Sequence, residues 1–287
     1  MILLIKKIDE LKEKIDEYKK NNLKIGLVPT MGALHKGHFS LIEKSVSQND
    51  VTIVSVFVNP TQFGPNEDYE KYPRMIENDL KGAEKSGADI VFSPSAEEMY
   101  SGCTLNNNYL TYVAPPYEYV NKLCGKSRPG HFDGVATVVT KLFNLTKADN
   151  AYFGMKDAQQ LLIIKKMVKD LNMNINIVSC PIVREESGLA MSSRNNYLSL
   201  QGRKKALSLS KAIFTVENLV KNGKIKDVRY LTDVALKLLE DTEVEYVEFV
   251  DYNTLENVST IKDKTLFAIA ARVEGVRLID NILLEDL

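Results

Sequence analysis

Two of the three histidines in this chain stand three residues apart in PTMGALHKGH, residues 29–38. A strand-like run, LKIGLV, precedes them, and Gly32 and Gly37 flank them. This order predicts a strand, a glycine-containing loop and a helix N-terminus, which offers free N–H groups and a partial positive charge to an anion. Residues three apart share a helix face, so His35 and His38 can address one ligand. Donors at such a terminus suit the phosphates of ATP, where charge develops during displacement at phosphorus. Neither the G-x-G-x-x-G nor the Walker spacing is present, which argues against a dinucleotide or P-loop site. Zinc ligation is the other chemical use of such a pair, but no H-E-x-x-H spacing or nearby cysteine supports it. A capping or core role for both rings stays open on these residues alone.

Four further stretches carry side chains suited to a phosphorylated or carboxylate ligand. AYFGMKDAQQ, residues 151–160, places Gly154, Lys156 and Asp157 just beyond a strand, with Gln160 one helical turn on. The carboxyl end of a parallel strand is where such sheets bind ligands, and a lysine there acts as a point charge on phosphate. RPGHFDGV, residues 128–135, combines Arg128 with the third histidine, His131, ahead of a helix that Asp133 could cap. FVNPTQF, residues 57–63, presents Asn59 and Gln62 on a loop stiffened by Pro60. LAMSSRNNYL, residues 189–198, offers Ser192, Ser193 and Arg194 as a cradle for pyrophosphate, or else a serine cap before a helix.

Strands alternating with helices must position these groups. Apolar residues Ile8, Leu11, Ile15 and Tyr18 line one helical face, and VTIVSVFVN reads as a strand covered on both sides. The βαβ rhythm continues to NINIVSCPIV and predicts an α/β fold, a Rossmann-like doubly wound parallel sheet over residues 1–182. Residues 183–287 read as a smaller α+β domain serving as a lid: two helices, then strands ending in a hairpin around Glu274-Gly275. Charge is balanced at a formal −1, which leaves no global field for nucleic acid or an anionic membrane. Three scattered cysteines, Cys103, Cys124 and Cys180, argue for a reducing, cytoplasmic setting. No apolar run approaches a membrane span.

Together these stretches, in this order and over nearly the whole chain, resemble the pantothenate synthetase family. PTMGALHKGH is similar to that family's form of the HxGH element of the nucleotidylyltransferase superfamily, and MSSRN stands where related enzymes carry a KMSKS-type loop. The resemblance implies a ligase that uses ATP to join pantoate and β-alanine through a pantoyl adenylate, acting as a homodimer with magnesium. It implies phosphate contacts from His35, His38, Lys156, Ser192, Ser193 and Arg194. Met31, Gly32, Gly154, Asp157, Val183 and Met191 would complete the ATP site. Met31, Asn59, Gln62, Arg128, His131 and Gln160 would bind pantoate and β-alanine, and Asp79 would be a magnesium ligand. Met155 departs from an acidic residue common in the family, as does Asn78 before Asp79 where some members have paired acids. Transfer of a nucleotide to a phosphorylated substrate, or silent nucleotide binding, are the competing functions such a fold could serve.

Overall fold

The computed structural model describes residues 2–65, 67–100 and 110–285; Cys103 lies outside them. The chain divides into two compact units. The first comprises residues 1–116, 128–155 and 160–181, and the second comprises 117–127, 156–159 and 182–287. In chain order the first half contains β1 (Leu3–Ile5), α1 (Ile8–Lys20), β2 (Ile25–Thr30), α2 (Lys36–Val46), β3 (Val51–Val56), α3 (Ile76–Lys85), β4 (Ile90–Phe92) and the single turn α4 (Ala96–Met99). Short helices α5 (Tyr117–Val120) and α6 (Leu123–Ser127) precede α7 (His131–Thr146), β5 (Asn150–Gly154), α8 (Ala158–Asp170) and β6 (Asn176–Cys180).

The first unit is the doubly wound α/β sheet that the sequence predicts. Its six parallel strands run in the order β1-β4-β3-β2-β5-β6. The direction of winding reverses between β2 and β5, so the carboxyl ends of those two strands flank the switch point, the usual ligand crevice of such sheets. Every residue of β3 is buried, as a strand covered on both faces requires. Strand β5 pairs with β2 only at Gly26 and Leu27. Further along β2, Pro29 has no N–H to extend a ladder, and the loop bearing the histidines leaves from there. Two elements depart from expectation. MILLI contributes β1, which pairs with β4 at the sheet edge; three residues are too few for a periodic signal. Helix α7 begins at His131, capped by Gly130 in the left-handed region at φ +79°, so Asp133 lies inside the first turn and is not the cap.

The second unit contains α9 (Leu200–Lys221), α10 (Val228–Leu238), β7 (Glu243–Asp251), β8 (Thr265–Val273) and β9 (Val276–Leu284). The antiparallel sheet runs β7-β8-β9, and its central strand is almost wholly buried. Leu209, Ile213 and Val216 of α9 and Leu231 of α10 pack with Phe267, Ile269 and Leu278 in one apolar cluster. The β8–β9 turn is Glu274-Gly275, both at positive φ, as a two-residue hairpin requires.

Candidate active site

The histidine loop runs from the end of β2 into α2. His35 is the N-cap of α2; its Nδ1 accepts the Gly37 N–H at 3.1 Å, while His38 Nδ1 accepts the His35 N–H at 3.3 Å. The two rings stack with centroids 4.0 Å apart. Capping and ligand binding are therefore not alternatives here. A nitrogen that accepts an N–H must present its lone pair, so the proton of each neutral ring sits on Nε2. The cap fixes the tautomer and leaves Nε2–H as the donor of each ring.

Most of the described backbone donors of this loop meet acceptors within the fold. Gly32 N donates to Thr30 Oγ1, Ala33 N and Leu34 N to Asp79, and His38 N to the His35 carbonyl. Asp79, on the first turn of α3, is only 2 % exposed. Its Oδ2 lies 3.0 Å from Ala33 N and its Oδ1 2.7 Å from Leu34 N. Burial pushes the Asp79 carboxyl up from its ordinary value, while the two amide bonds pull it down. Among the described residues no group of three or more His, Cys, Asp or Glu side chains could hold a metal ion. Each Asp79 oxygen accepts one amide N–H of the loop, which ties the carboxylate to the histidine-bearing segment.

A second node in the same unit centres on Gln62. Residues Pro60–Gln62 form a single 3-10 turn capped by Asn59, and Gln62 is 9 % exposed. Asn59 Nδ2 donates to Gln62 Oε1 at 3.0 Å and to the Gly134 carbonyl at 3.1 Å, and Gln62 Nε2 lies 3.2 Å from Met31 Sδ. A Cβ on Gly134 would collide with the Thr61 carbonyl oxygen, so only glycine lets α7 approach this turn. His131 Nδ1 lies 2.8 Å from the Gln62 carbonyl and its Nε2 2.9 Å from Arg128 Nη1. A carbonyl can only accept and a guanidinium can only donate. His131 is therefore neutral with its proton on Nδ1. Arg128 also makes a bidentate pair with Glu67, at 2.6 and 2.5 Å. Burial pushes the Glu67 carboxyl up, but the Arg128 hydrogen bond and charge outweigh that and hold it below its ordinary value.

Asn59, Arg128 and His131 thus converge on Gln62 and fix both its amide and its backbone. Sequence reasoning missed Glu67, and it missed Tyr100, whose hydroxyl donates to Asn59 Oδ1 at 2.8 Å and whose pKa burial pushes up to about 12. No sequence signal marks either one. Gly154 ends β5, with open space where a side chain would stand. Gln160 is half-buried on α8. Its neighbour Gln159 is buried and bonded to the Tyr119 and Lys122 carbonyls.

The remaining predicted residues belong to the second unit. Met191 N donates to the Val183 carbonyl at 3.0 Å, and Arg184 bridges Ala190, so the segment folds back on itself. Arg184 grips Asp280 through both guanidinium nitrogens, at 2.7 and 2.9 Å. Ser192 caps the 3-10 turn Ser193–Tyr197 by accepting the Arg194 N–H, and Ser193 is buried. Asn195 donates to Glu185 and to the Ala190 carbonyl. Lys156 and Ser192 line one small cavity of about 10 Å³ with Asn195, and Asn281 Nδ2 donates to the Lys156 carbonyl at 2.8 Å. The Lys156 ammonium lies 3.9 Å from the half-exposed Asp157 carboxylate.

A parallel sheet with paired imidazole donors at its strand-order reversal defines an α/β protein of the nucleotide-binding kind. The family model for pantoate-beta-alanine ligase matches residues 3–283, and the chain belongs to that family. The pantothenate synthetase of Caldicellulosiruptor saccharolyticus is 52 % identical over 287 residues, covering 99 % of this chain and 100 % of that protein. That of Acetivibrio thermocellus is 53 % identical over 286 residues, covering 98 % and 99 %. The solved pantothenate synthetase of Thermus thermophilus superposes with a TM-score of 0.92 at 38 % identity, covering 99 % of this chain and all of that one. The Francisella tularensis pantoate-beta-alanine ligase, solved with beta-gamma ATP and beta-alanine, matches at 0.81 and 37 %, covering 99 % and 98 %.

Proposed function

We infer that this chain condenses (R)-pantoate with β-alanine at the expense of ATP, through a pantoyl adenylate, releasing pyrophosphate and AMP. Family membership across residues 3–283 carries this reading. The Nε2–H groups of His35 and His38, directed by the cap, give it a chemical basis.

A carboxylate with an ordinary pKa near ~4 is ionised at neutral pH and needs no general base. Its attack on the α-phosphorus requires alignment and neutralisation of phosphate charge. In this proposal His35 and His38 donate to phosphate oxygens through Nε2–H. Lys156 and Arg194 supply positive charge, and Ser192 and Ser193 supply hydroxyl donors. Gly32, Gly154, Asp157, Val183 and Met191 are the further proposed ATP contacts. Gln62 and Gln160 hold the polar groups of pantoate, with Met31 against its gem-dimethyl group. Asn59, Arg128 and His131 serve substrate binding by fixing Gln62, which the hydrogen bonds around that residue support. The second step is attack of the neutral β-alanine amine on the adenylate, and it needs water kept out.

Magnesium, in this reading, enters bound to ATP and is not held by a protein cage. A homodimer is proposed on the family resemblance alone. Free thiols at Cys124 and Cys180 support a cytoplasmic location. The decisive experiment is exchange of labelled pyrophosphate into ATP with magnesium and without β-alanine. Exchange that requires pantoate is the expected result; folded, ATP-binding protein without exchange would refute adenylation.

A further inference from the structure

Asp79 reaches the histidine pair through the backbone. Gly32 and Ala33 both lie in the left-handed region, at φ +85° and +50°. For alanine that conformation is strained, because its Cβ crowds the following carbonyl oxygen, so something must hold it. Asp79 supplies two short bonds there, to the amides of residues 33 and 34. The next amide in line, that of His35, is the one that His38 Nδ1 accepts. Three successive N–H groups therefore meet acceptors, two on Asp79 and the third on a histidine ring. The approach is close as well. A Cβ on Gly32 would lie 2.9 Å from Asp79 Oδ2 and 2.9 Å from Val56 Cγ1. If residues 33 and 34 turn away from Asp79, the His35 N–H turns with them and the ring of His38 loses its donor.

We propose that Asp79 is a positioning residue: it holds the 32–34 backbone so that the His35 N–H meets His38 Nδ1 and the His38 ring keeps its proton on Nε2. In this proposal Asp79 serves the loop rather than a magnesium ion. The catalytic consequence, though not the tautomers themselves, rests on the reading of the histidines as phosphate donors.

The test uses the full chain and needs no ligand for its first readout. With only three histidines, long-range ¹H–¹⁵N spectra at pH about 8, above the ordinary histidine pKa of about 6.5, resolve every ring. Wild type should show two Nε2–H rings, His35 and His38, and one Nδ1–H ring, His131. Asp79→Asn keeps one acceptor but turns an NH₂ toward the other amide. It should convert the signal of His38 to mixed tautomers and leave His131 unchanged. Pantoate-dependent exchange should fall about 10²-fold in turnover, the scale of a small misplacement of reacting groups. The KM for pantoate and the half-saturating magnesium concentration should stay within twofold.

Gly32→Ala, which pushes a methyl against Oδ2, should reproduce the spectral change and serves if the first variant does not fold. An Nδ1–H ring at position 38 in wild type overturns the proposal. So does an unchanged His38 signal in the folded variants, or a tenfold shift in magnesium dependence with that signal intact. If wild type itself shows no exchange, the adenylation reading fails, while the spectra still decide the role of Asp79.

Discussion

His35 and His38 on one side, and His131 on the other, use the same ring in opposite senses. In the loop before α2, backbone N–H groups aim at Nδ1 and the proton is left on Nε2. At the start of α7, a carbonyl aims at Nδ1 and a guanidinium at Nε2, so the proton moves to Nδ1 and both nitrogens are engaged within the fold. The first arrangement gives the Nε2–H donors that the proposed function assigns to phosphate. The second ties Gln62 to Arg128 and Glu67. Identity of side chain thus says little about role; the polarity of the backbone group facing Nδ1 decides it.

The comparison breaks first at His38. His38→Ala should lower turnover in pyrophosphate exchange by about 10²–10³, the usual loss for a transition-state donor. An unchanged rate would remove His38 from the chemistry. The His131 side is tested through its partner. Arg128→Met leaves Glu67 without its cation, and equilibrium unfolding in urea should show a loss of about 2–3 kcal/mol, the scale of charged hydrogen bonds.

That loss should depend on pH with a definite sign. The Glu67 carboxyl is held below its ordinary value in the folded state. Its stabilisation is therefore present above the unfolded pKa, near ~4.3, and fades as pH falls through the depressed folded value. The gap between wild type and Arg128→Met should be full at neutral pH and narrow in acid. A gap independent of pH would mean that packing, not charge, holds the clamp.

The smallest effect is the sharpest. An asparagine amide imitates Nδ1–H and a glutamine amide imitates Nε2–H. His131→Asn should be more stable than His131→Gln by about 1 kcal/mol, one neutral hydrogen bond. At His38 the order should reverse in exchange activity, with glutamine retaining more than asparagine. The same order at both positions would mean that the tautomers do not differ.

Much of the fold was legible because it rests on local periodicity. The apolar spacing in α1 and the continuous apolar run of β3 mark their elements without tertiary help. β1 escaped notice because three residues carry no period, and it is a strand only by pairing with β4. Asp133 was a reasonable cap by residue type, but Gly130 turns the chain three residues earlier. Among site residues, His35 and His38 stood out by scarcity and spacing. Glu67 did not, since its value comes from Arg128, 61 positions away. Asp79 was marked as a carboxylate, but its partners lie 45 and 46 positions back.

The sequence by itself determined the alternation of strands and helices, the order of the functional stretches and the kinds of donor each could offer. Those properties follow from side-chain chemistry and from spacings within one or two turns. Tertiary structure decided which nitrogen of each histidine keeps its proton, which carboxylate holds a loop and which glutamine is fixed by its neighbours. Each of those depends on a hydrogen-bond partner brought from elsewhere in the chain, and a buried polar group takes its role from the partner that satisfies it.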